Sequence, residues 1–247
     1  MNHYRADLHV HTVLSPCAEV EMIPPLIVQA ALEHGLNLIA ITDHNASENA
    51  AAVLQAAAGS GLTVLPGMET QSREDVHLLC LFETLEALQA WQQQINQALP
   101  CLPNRPEYFG EQFVVDSSGE FIRREERLLL TATRFSVEEI FEQASALGGL
   151  VIPAHVDRPA NGLLTTLGVV SPAWQAAAFE ISRHLSPDQA RRRFPSLQPY
   201  PLIQNGDVHS LEQFLGSLWF EMEHPTLKEI RLALQGADER RFGVNIP

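Results

Sequence analysis

Lysine is nearly missing from this chain: Lys228 stands alone against fifteen arginines. Its surroundings, TLKEI, are not the GK[ST] of a Walker-type phosphate loop, which excludes that class of nucleotide hydrolase. A catalytic lysine Schiff base is disfavoured for the same reason. No GxGxxG follows an apolar run and no GxSxG elbow occurs, so the dinucleotide-binding and serine-hydrolase readings also lapse. Cysteine is scarce as well. Cys17, Cys80 and Cys101 are odd in number and lack CxxC spacing, which gives the expectation of a reducing, cytoplasmic setting with buried or idle thiols. No apolar run approaches the roughly 20 residues of a membrane span, and the N-terminus carries no visible signal peptide. Positive charge is the last shortage: 16 Lys and Arg face 30 Asp and Glu, for a formal net charge of −14. That balance disfavours a broad electrostatic grip on duplex nucleic acid, while leaving short polyanions held by metals open.

What is present is an ordinary globular composition, 45% hydrophobic over 247 residues, enough to build a core without staples. Apolar strand-like runs alternate with helix-like segments. Residues 6–10, 36–42, 62–67, 76–82, 149–154, 176–182, 201–206 and 218–223 read as strands. Residues 24–34 read as a helix opened by prolines and stopped by Gly35. Thr84 caps a helix through Leu99, and Ser136 with Glu139 forms a capping box. Residues 100–133 break the alternation. Asp116-Ser117-Ser118-Gly119 marks a hairpin turn there, and so short a stretch is an insertion within one 1–247 domain. Strands separated by helices imply a parallel sheet, and about seven such units imply an α/β barrel.

The chemistry-bearing residues fall at the ends of these strands. The first run ends in His9-Val10-His11, the second in Asp43-His44 and the third in Gly67-Met68-Glu69. His77 opens the fourth, the 149–154 run leads into His155, and the 201–206 run leads into Asp207-Val208-His209. Alternate strand residues share a face, so His9 and His11 can address one ion. Taken singly, each of these residues has an unremarkable structural explanation, as a cap, a surface imidazole or a loop carboxylate. Such explanations give no reason for all of them to gather on one barrel face. Six histidines with Glu69 and Asp207 exceed what one tetrahedral ion needs, and imidazole mixed with carboxylate suits zinc, manganese or iron.

ADLHVHT, AITDH, GMET, VHLLCLF, IPAH and GDVH, in this order and spacing, resemble the PHP (polymerase and histidinol phosphatase) superfamily of metal-dependent phosphoesterases. The resemblance implies a distorted seven-stranded (β/α)7 TIM-like barrel with two or three divalent transition ions. It implies one ion on His9, His11, Glu69 and Asp207, with Glu69 bridging to a second on His77 and His155. It implies a third on His44, His209 and an acidic residue from the loop after the first motif. Many members have Ser-Asp-Gly in that loop, where this chain has Ser15-Pro16-Cys17. The acidic ligand is therefore expected at Glu21 in preference to Glu19, with Cys17 a lesser candidate to approach the metals. A second departure is Gly206 in the last motif, where Ser-Asp-Ala-His is usual.

The expected reaction is attack on phosphorus by a metal-activated water, with Glu69, His155 and Asp207 as the catalytic set. Arg158 and Arg183 are the first candidates to hold a substrate phosphate, with Arg134 and His184 behind them. Asp7 and Asp43 are expected to orient metal-bound histidines. The expected substrate is a nucleotide, a short oligonucleotide or another small phosphate ester, with no membrane partner. Two other classes stay open: an amidohydrolase-type enzyme and a non-catalytic accessory domain. Dinuclear amidohydrolases often bridge their metals with a carboxylated lysine, which the position of Lys228 in the final helix excludes.

Overall fold

A computed structural model describes residues 1–245; the last two residues of the expected 1–247 domain lie outside them. The strands are β1 (Asn2–Val10), β2 (Leu38–Ile41), β3 (Thr63–Gln71), β4 (His77–Leu81), β5 (Phe113–Val115), β6 (Phe121–Arg124), β7 (Leu150–Pro153), β8 (Phe179–Ile181), β9 (Leu202–Gln204), β10 (Leu218–Met222) and β11 (Arg241–Val244). Seven of them form one curled sheet in the order β11-β10-β1-β2-β3-β4-β7, while β8–β9 and β5–β6 form separate pairs. Helices Pro24–Glu33, Leu85–Ala98 and Val137–Ala146 lie where their capping signals place them, and helices Pro187–Arg193 and Leu227–Gln235 follow later in the chain. Thr84 accepts from the Ala87 amide, and the Ser136–Glu139 box is formed.

The expected run of parallel units fails at β4, which lies antiparallel to both β3 and β7. Only residues 72–76 separate β3 from β4, too few for a crossover helix, and the Ser72 amide closes a tight reversal on the Val76 carbonyl at 2.8 Å. β10 also departs from expectation. It pairs antiparallel with the N-terminal half of β1, and β11, which the sequence pattern does not reveal, pairs in turn with β10.

Two apolar layers flank the sheet. On the inner side Ala6, Leu8, Leu38, Ala40, Leu65, Leu79 and Ile152 pack with Leu227 and Ile230 of the last helix. On the outer side Ile39, Ile41, Leu78, Cys80 and Val151 meet Ile27, Val53, Trp91 and Phe141 of the surrounding helices. The β8–β9 pair joins the large sheet through single bonds. The Val156 amide donates to Glu180 O (2.9 Å), the Leu8 amide to Asn205 Oδ1 (2.9 Å), and Val10 bridges Val208.

Candidate metal centre

Three backbone irregularities bring the polar residues inward. Ala6 and Leu8 belong to the inner layer, yet Val10 belongs to the outer one. The pairing of β1 with β2 shifts register between Asp7 and Val10, and such a shift reverses which residues face each side. His9 and His11 are thereby fully buried side by side, with ring centroids 5.1 Å apart. His155 follows β7 at φ +29°, and Asp207 follows β9 at φ +50°. Both are left-handed conformations that cost a non-glycine residue about 1–3 kcal/mol. Glu69 and His77 reach the centre by plain alternation, in phase with Leu65 and with Leu79 of the inner layer.

Glu69 is the hub. Its Oε1 lies 2.8 Å from His77 Nδ1, 3.1 Å from His155 Nε2 and 3.3 Å from His9 Nε2. Its Oε2 lies 2.8 Å from His44 Nδ1 and 3.4 Å from His11 Nε2. Asp207 Oδ1 approaches His9 and His11 at 3.2 and 3.3 Å, and His209 at 3.5 Å. Ligand-type atoms converge in three overlapping groups: His9–His11–Glu69, His44–Glu69–His77 and His11–His44–His209. His9 Nε2, His11 Nε2 and Glu69 Oε2 are buried and have no hydrogen-bond partner among the described residues. Buried polar atoms are seldom left so, and inward-facing imidazoles and carboxylates whose mutual bonds leave these three atoms unpaired fit divalent cations.

The charges suit that role. Burial opposes ionisation of Glu69, but His77, His44 and His9 outweigh it and hold the carboxyl well below its usual range. For Asp207 burial is likewise outweighed, by the charge of His9 and the adjacent His11 ring. Burial, reinforced by His209 and His44, keeps the His11 pKa well below that of a free imidazole, favouring the neutral form that binds metal.

A supporting layer fixes the rings. Glu180, fully buried in β8, places both carboxylate oxygens 3.1 Å from His9 Nδ1 and accepts from the His155 amide at 2.9 Å. With Glu180 engaging Nδ1 of His9, Nε2 is the ring nitrogen left to face a metal. Asp43 accepts from Thr12 N, Thr12 Oγ1 and Ser15 Oγ at 2.7–2.8 Å. Ser15 Oγ in turn lies 2.9 Å from His11 Nδ1, so Asp43 orients that ring at one remove. Asp7 departs from its expected role. It accepts from the amides of Gly206, Leu215 and His9, and so secures the backbone leading to Asp207 without touching an imidazole. Gly206 is required there, because a Cβ would stand 2.8 Å from Asp7 Oδ2 and 2.6 Å from the Gln213 carbonyl.

Other expected residues are dispersed. Arg158 lines the cavity of about 480 Å³ over the cluster and pairs with Asp207 Oδ2, its side chain 40% exposed. Arg183 is exposed and donates to the Gln213 carbonyl, His184 is exposed, and neither lines that cavity. Arg134 lies in a separate depression with Gln94 and Gln143. Glu21 is exposed and belongs to none of the three groups. Cys17 is exposed too, but it lines the cavity beside His44 and His209; burial would raise its thiol, but these imidazoles pull it down to about 6. Lys228 is exposed on the last helix. Glu180 escaped the reading of the sequence, although a carboxylate flanked by Phe179 and Ile181 in an apolar run carried a signal: charges are almost never fully buried unless paired.

A curled α/β sheet around clustered imidazoles and carboxylates defines a class, and sequence comparison supplies the family. The PHP domain profile matches residues 7–134, just over half of the chain, and the protein belongs to that family. Over 106 residues it is 32% identical to the uncharacterized protein YqxK of Bacillus subtilis, covering 40% of this chain and 27% of YqxK. Its fold is similar to that of the lesion-specific endonuclease Q of Pyrococcus furiosus, with TM-score 0.74, 22% identity, and 98% of this chain aligned to 58% of that one. A structure of endonuclease Q with a 27-mer duplex carrying an abasic lesion at its active site gives TM-score 0.72 at 21% identity, over 97% of this chain and 58% of that one. A putative metal-dependent phosphoesterase of Bifidobacterium adolescentis gives TM-score 0.55 at 19% identity, over 83% and 87%. The chain therefore spans little more than half of endonuclease Q and about a quarter of YqxK. The expectation that an acidic chain forgoes duplex nucleic acid finds no support, since an enzyme of this fold is seen with a duplex. No helix among the described residues is long and apolar enough to cross a membrane.

Proposed function

We propose that the protein is a metal-dependent phosphoesterase acting on a phosphate ester of a nucleotide or nucleic acid strand. The observation that carries this reading is the buried set His9 Nε2, His11 Nε2 and Glu69 Oε2, without hydrogen-bond partners among the described residues and reached by an open cavity that Glu69 lines. In this reading β1, β2, β3, β4, β7, β8 and β9 are the staves of a distorted seven-stranded barrel, and the β5–β6 hairpin is an insertion beside its mouth. His9, His11, Glu69 and Asp207 would hold one ion, and Glu69, His77 and His155 a second. His44 and His209 belong to a third position.

Zinc, manganese or iron bound there would supply Lewis acidity, lowering the pKa of water and taking up charge on phosphoryl oxygens. The chain's own residues do the positioning. Glu69, its carboxyl held well below its usual range by His77, His44 and His9, would be shared by the first two ion positions. Arg158, anchored on Asp207 yet open to the cavity, holds a non-reacting phosphate oxygen beside the cluster through its planar guanidinium. Glu180 and Ser15 keep the His9 and His11 rings aimed inward as substrate enters.

Likeness of fold to endonuclease Q favours a phosphodiester in nucleic acid among the possible esters. The test is hydrolysis of p-nitrophenyl phosphate, 5′-phosphorylated oligonucleotides and an abasic-site duplex with added Mn²⁺ or Zn²⁺. Activity on at least one is expected, abolished in a Glu69→Gln, His155→Ala double variant. Equal turnover by that variant would reject the site.

A further inference from the structure

Most of the exposed apolar surface belongs to the insertion. Of the nine large apolar side chains exposed among the described residues, five lie within residues 100–133: Leu102, Tyr108, Phe109, Phe121 and Ile122. Such a concentration marks an interaction surface, since scattered apolar residues would need no explanation. Tyr108 and Phe109, in a short helical turn (Pro106–Phe109), line a depression of about 540 Å³ with Leu102, Pro103, Arg105 and Leu128. Tyr108 is 74% exposed, and the Arg105 guanidinium lies 5.8 Å from its ring centroid. Arg105 is the one charged residue lining the depression. Arg123 and Arg124 of β6 are held by Glu125 and Glu111, whereas Arg105 makes no such pair among the described residues.

The depression adjoins the metal cavity through a single segment. Leu128 lines the first and Leu130 the second. Asn45, next to His44, pins this segment by donating from Nδ2 to the Leu129 and Thr131 carbonyls at 2.8 and 3.0 Å. Gly110 ends the Tyr108 turn at φ +99°, packed so closely on the Pro16 carbonyl that no Cβ fits. Pro16 and Asn45 are the chain neighbours of Cys17 and His44, which line the metal cavity. The aromatic surface is thus fixed to two loops of that cavity.

We propose that this depression takes an unpaired base of a nucleic acid strand, stacked on Tyr108 beside Arg105, while a phosphate of the same strand occupies the metal cavity. The proposal rests on the phosphoesterase reading above and narrows its substrate to a strand in preference to a mononucleotide. The chemistry of the surface selects this occupant. An exposed aromatic ring with a guanidinium against it offers a flat apolar face and a positive charge together, which suits a base carried on a phosphate backbone. A chain of net charge −14 is poorly suited to hold a strand by neutralising many phosphates, so stacking supplies much of the grip. A second copy of the chain would instead bring a like net charge against the first.

The test is binding of a short fluorescein-labelled oligothymidylate, with phosphorothioate linkages that resist cleavage, to the full chain, read by anisotropy. Tyr108→Ala should weaken binding about 5- to 150-fold, the range that one stacked base contributes, and Tyr108→Phe should retain it. Arg105→Gln should weaken binding and flatten its dependence on salt. Wild type should prefer the thymidylate strand to an abasic strand of equal length, and Tyr108→Ala should lose that preference. Equal binding by Tyr108→Ala and wild type at matched melting temperatures, or no strand binding at all, would overturn the inference. Self-association of wild type in sedimentation, abolished by Tyr108→Ala, would also overturn it by assigning the face to a second copy. Turnover of p-nitrophenyl phosphate judges the phosphoesterase reading separately. Hydrolysis without strand binding leaves that reading standing, and strand binding with no ester hydrolysed overturns the reading and not the stacking surface.

Discussion

Glu180 offers the sharpest perturbation of the supporting layer, because its carboxylate serves three buried donors at once. Both oxygens face His9 Nδ1 at 3.1 Å, Oε2 accepts from the His155 amide at 2.9 Å, and Oε1 accepts from Asn205 Nδ2 at 3.0 Å. Glu180→Gln keeps one acceptor and turns an NH₂ toward one of the remaining donors. A buried donor left unpaired costs about 1–3 kcal/mol, so metal-free protein should be destabilised by that amount in urea unfolding. The larger consequence falls on the His9 ring, whose tautomer and aim the carboxylate sets. Removing such a partner typically weakens metal binding about 10–100-fold, or about 1.4–2.7 kcal/mol. Competition against a chromophoric chelator, read for wild type, Glu180→Gln and the charge-retaining Glu180→Asp, measures this directly. Unchanged affinity in Glu180→Gln, with the expected loss of stability, would show that Glu180 is a core ion pair only and refute its positioning role.

Three further outcomes follow from other parts of the molecule. Gly206→Ala drives a Cβ against Asp7 Oδ2 and the Gln213 carbonyl; overpacking of this kind costs about 1–3 kcal/mol, and thermal melting should show it together with weakened metal binding. Glu229 is held below its usual pKa by Arg240, which donates to both its oxygens at 3.0 and 3.1 Å. A depressed carboxyl stabilises fully above its unfolded pKa of about 4.3 and loses that contribution as pH falls through the folded value. The gap in Tm between wild type and Arg240→Gln should therefore be widest near neutrality and shrink in acid; a gap independent of pH contradicts the pairing. Burial pushes the Cys80 thiol up to about 12, so alkylation near pH 8 should modify Cys17 and Cys101 in the native metal-free protein, and Cys80 only after unfolding.

Local chemistry was the readable part of this fold. Thr84 and Ser136 cap their helices because the capping partners sit three residues away, and the strand-end imidazoles advertise themselves by spacing. His9 and His11 face inward as alternation suggests, yet they do so only through the register shift after Asp7, which no single residue encodes. Hidden from the sequence were features set by distance in space. Glu180 meets His9 across 171 positions from a strand of three residues. β10 leaves the expected barrel order to pair outside β1. In the loop after the first motif Cys17 and Glu21 are both exposed, yet only Cys17 lines the cavity, and the bond from Glu19 N to His209 O that anchors the loop has no signature in the sequence. Arginines are equally hard to place, since long side chains at strand ends reach any of several partners; of the four phosphate candidates, only Arg158 lines the cavity.

Elemental analysis of protein purified without chelator tests the central claim most directly. At least two equivalents of zinc, manganese or iron per chain are expected in wild type, falling to at most one in Glu69→Gln, which loses the carboxylate shared between positions. Wild-type protein free of stoichiometric metal and unable to take it up on dialysis would contradict the account.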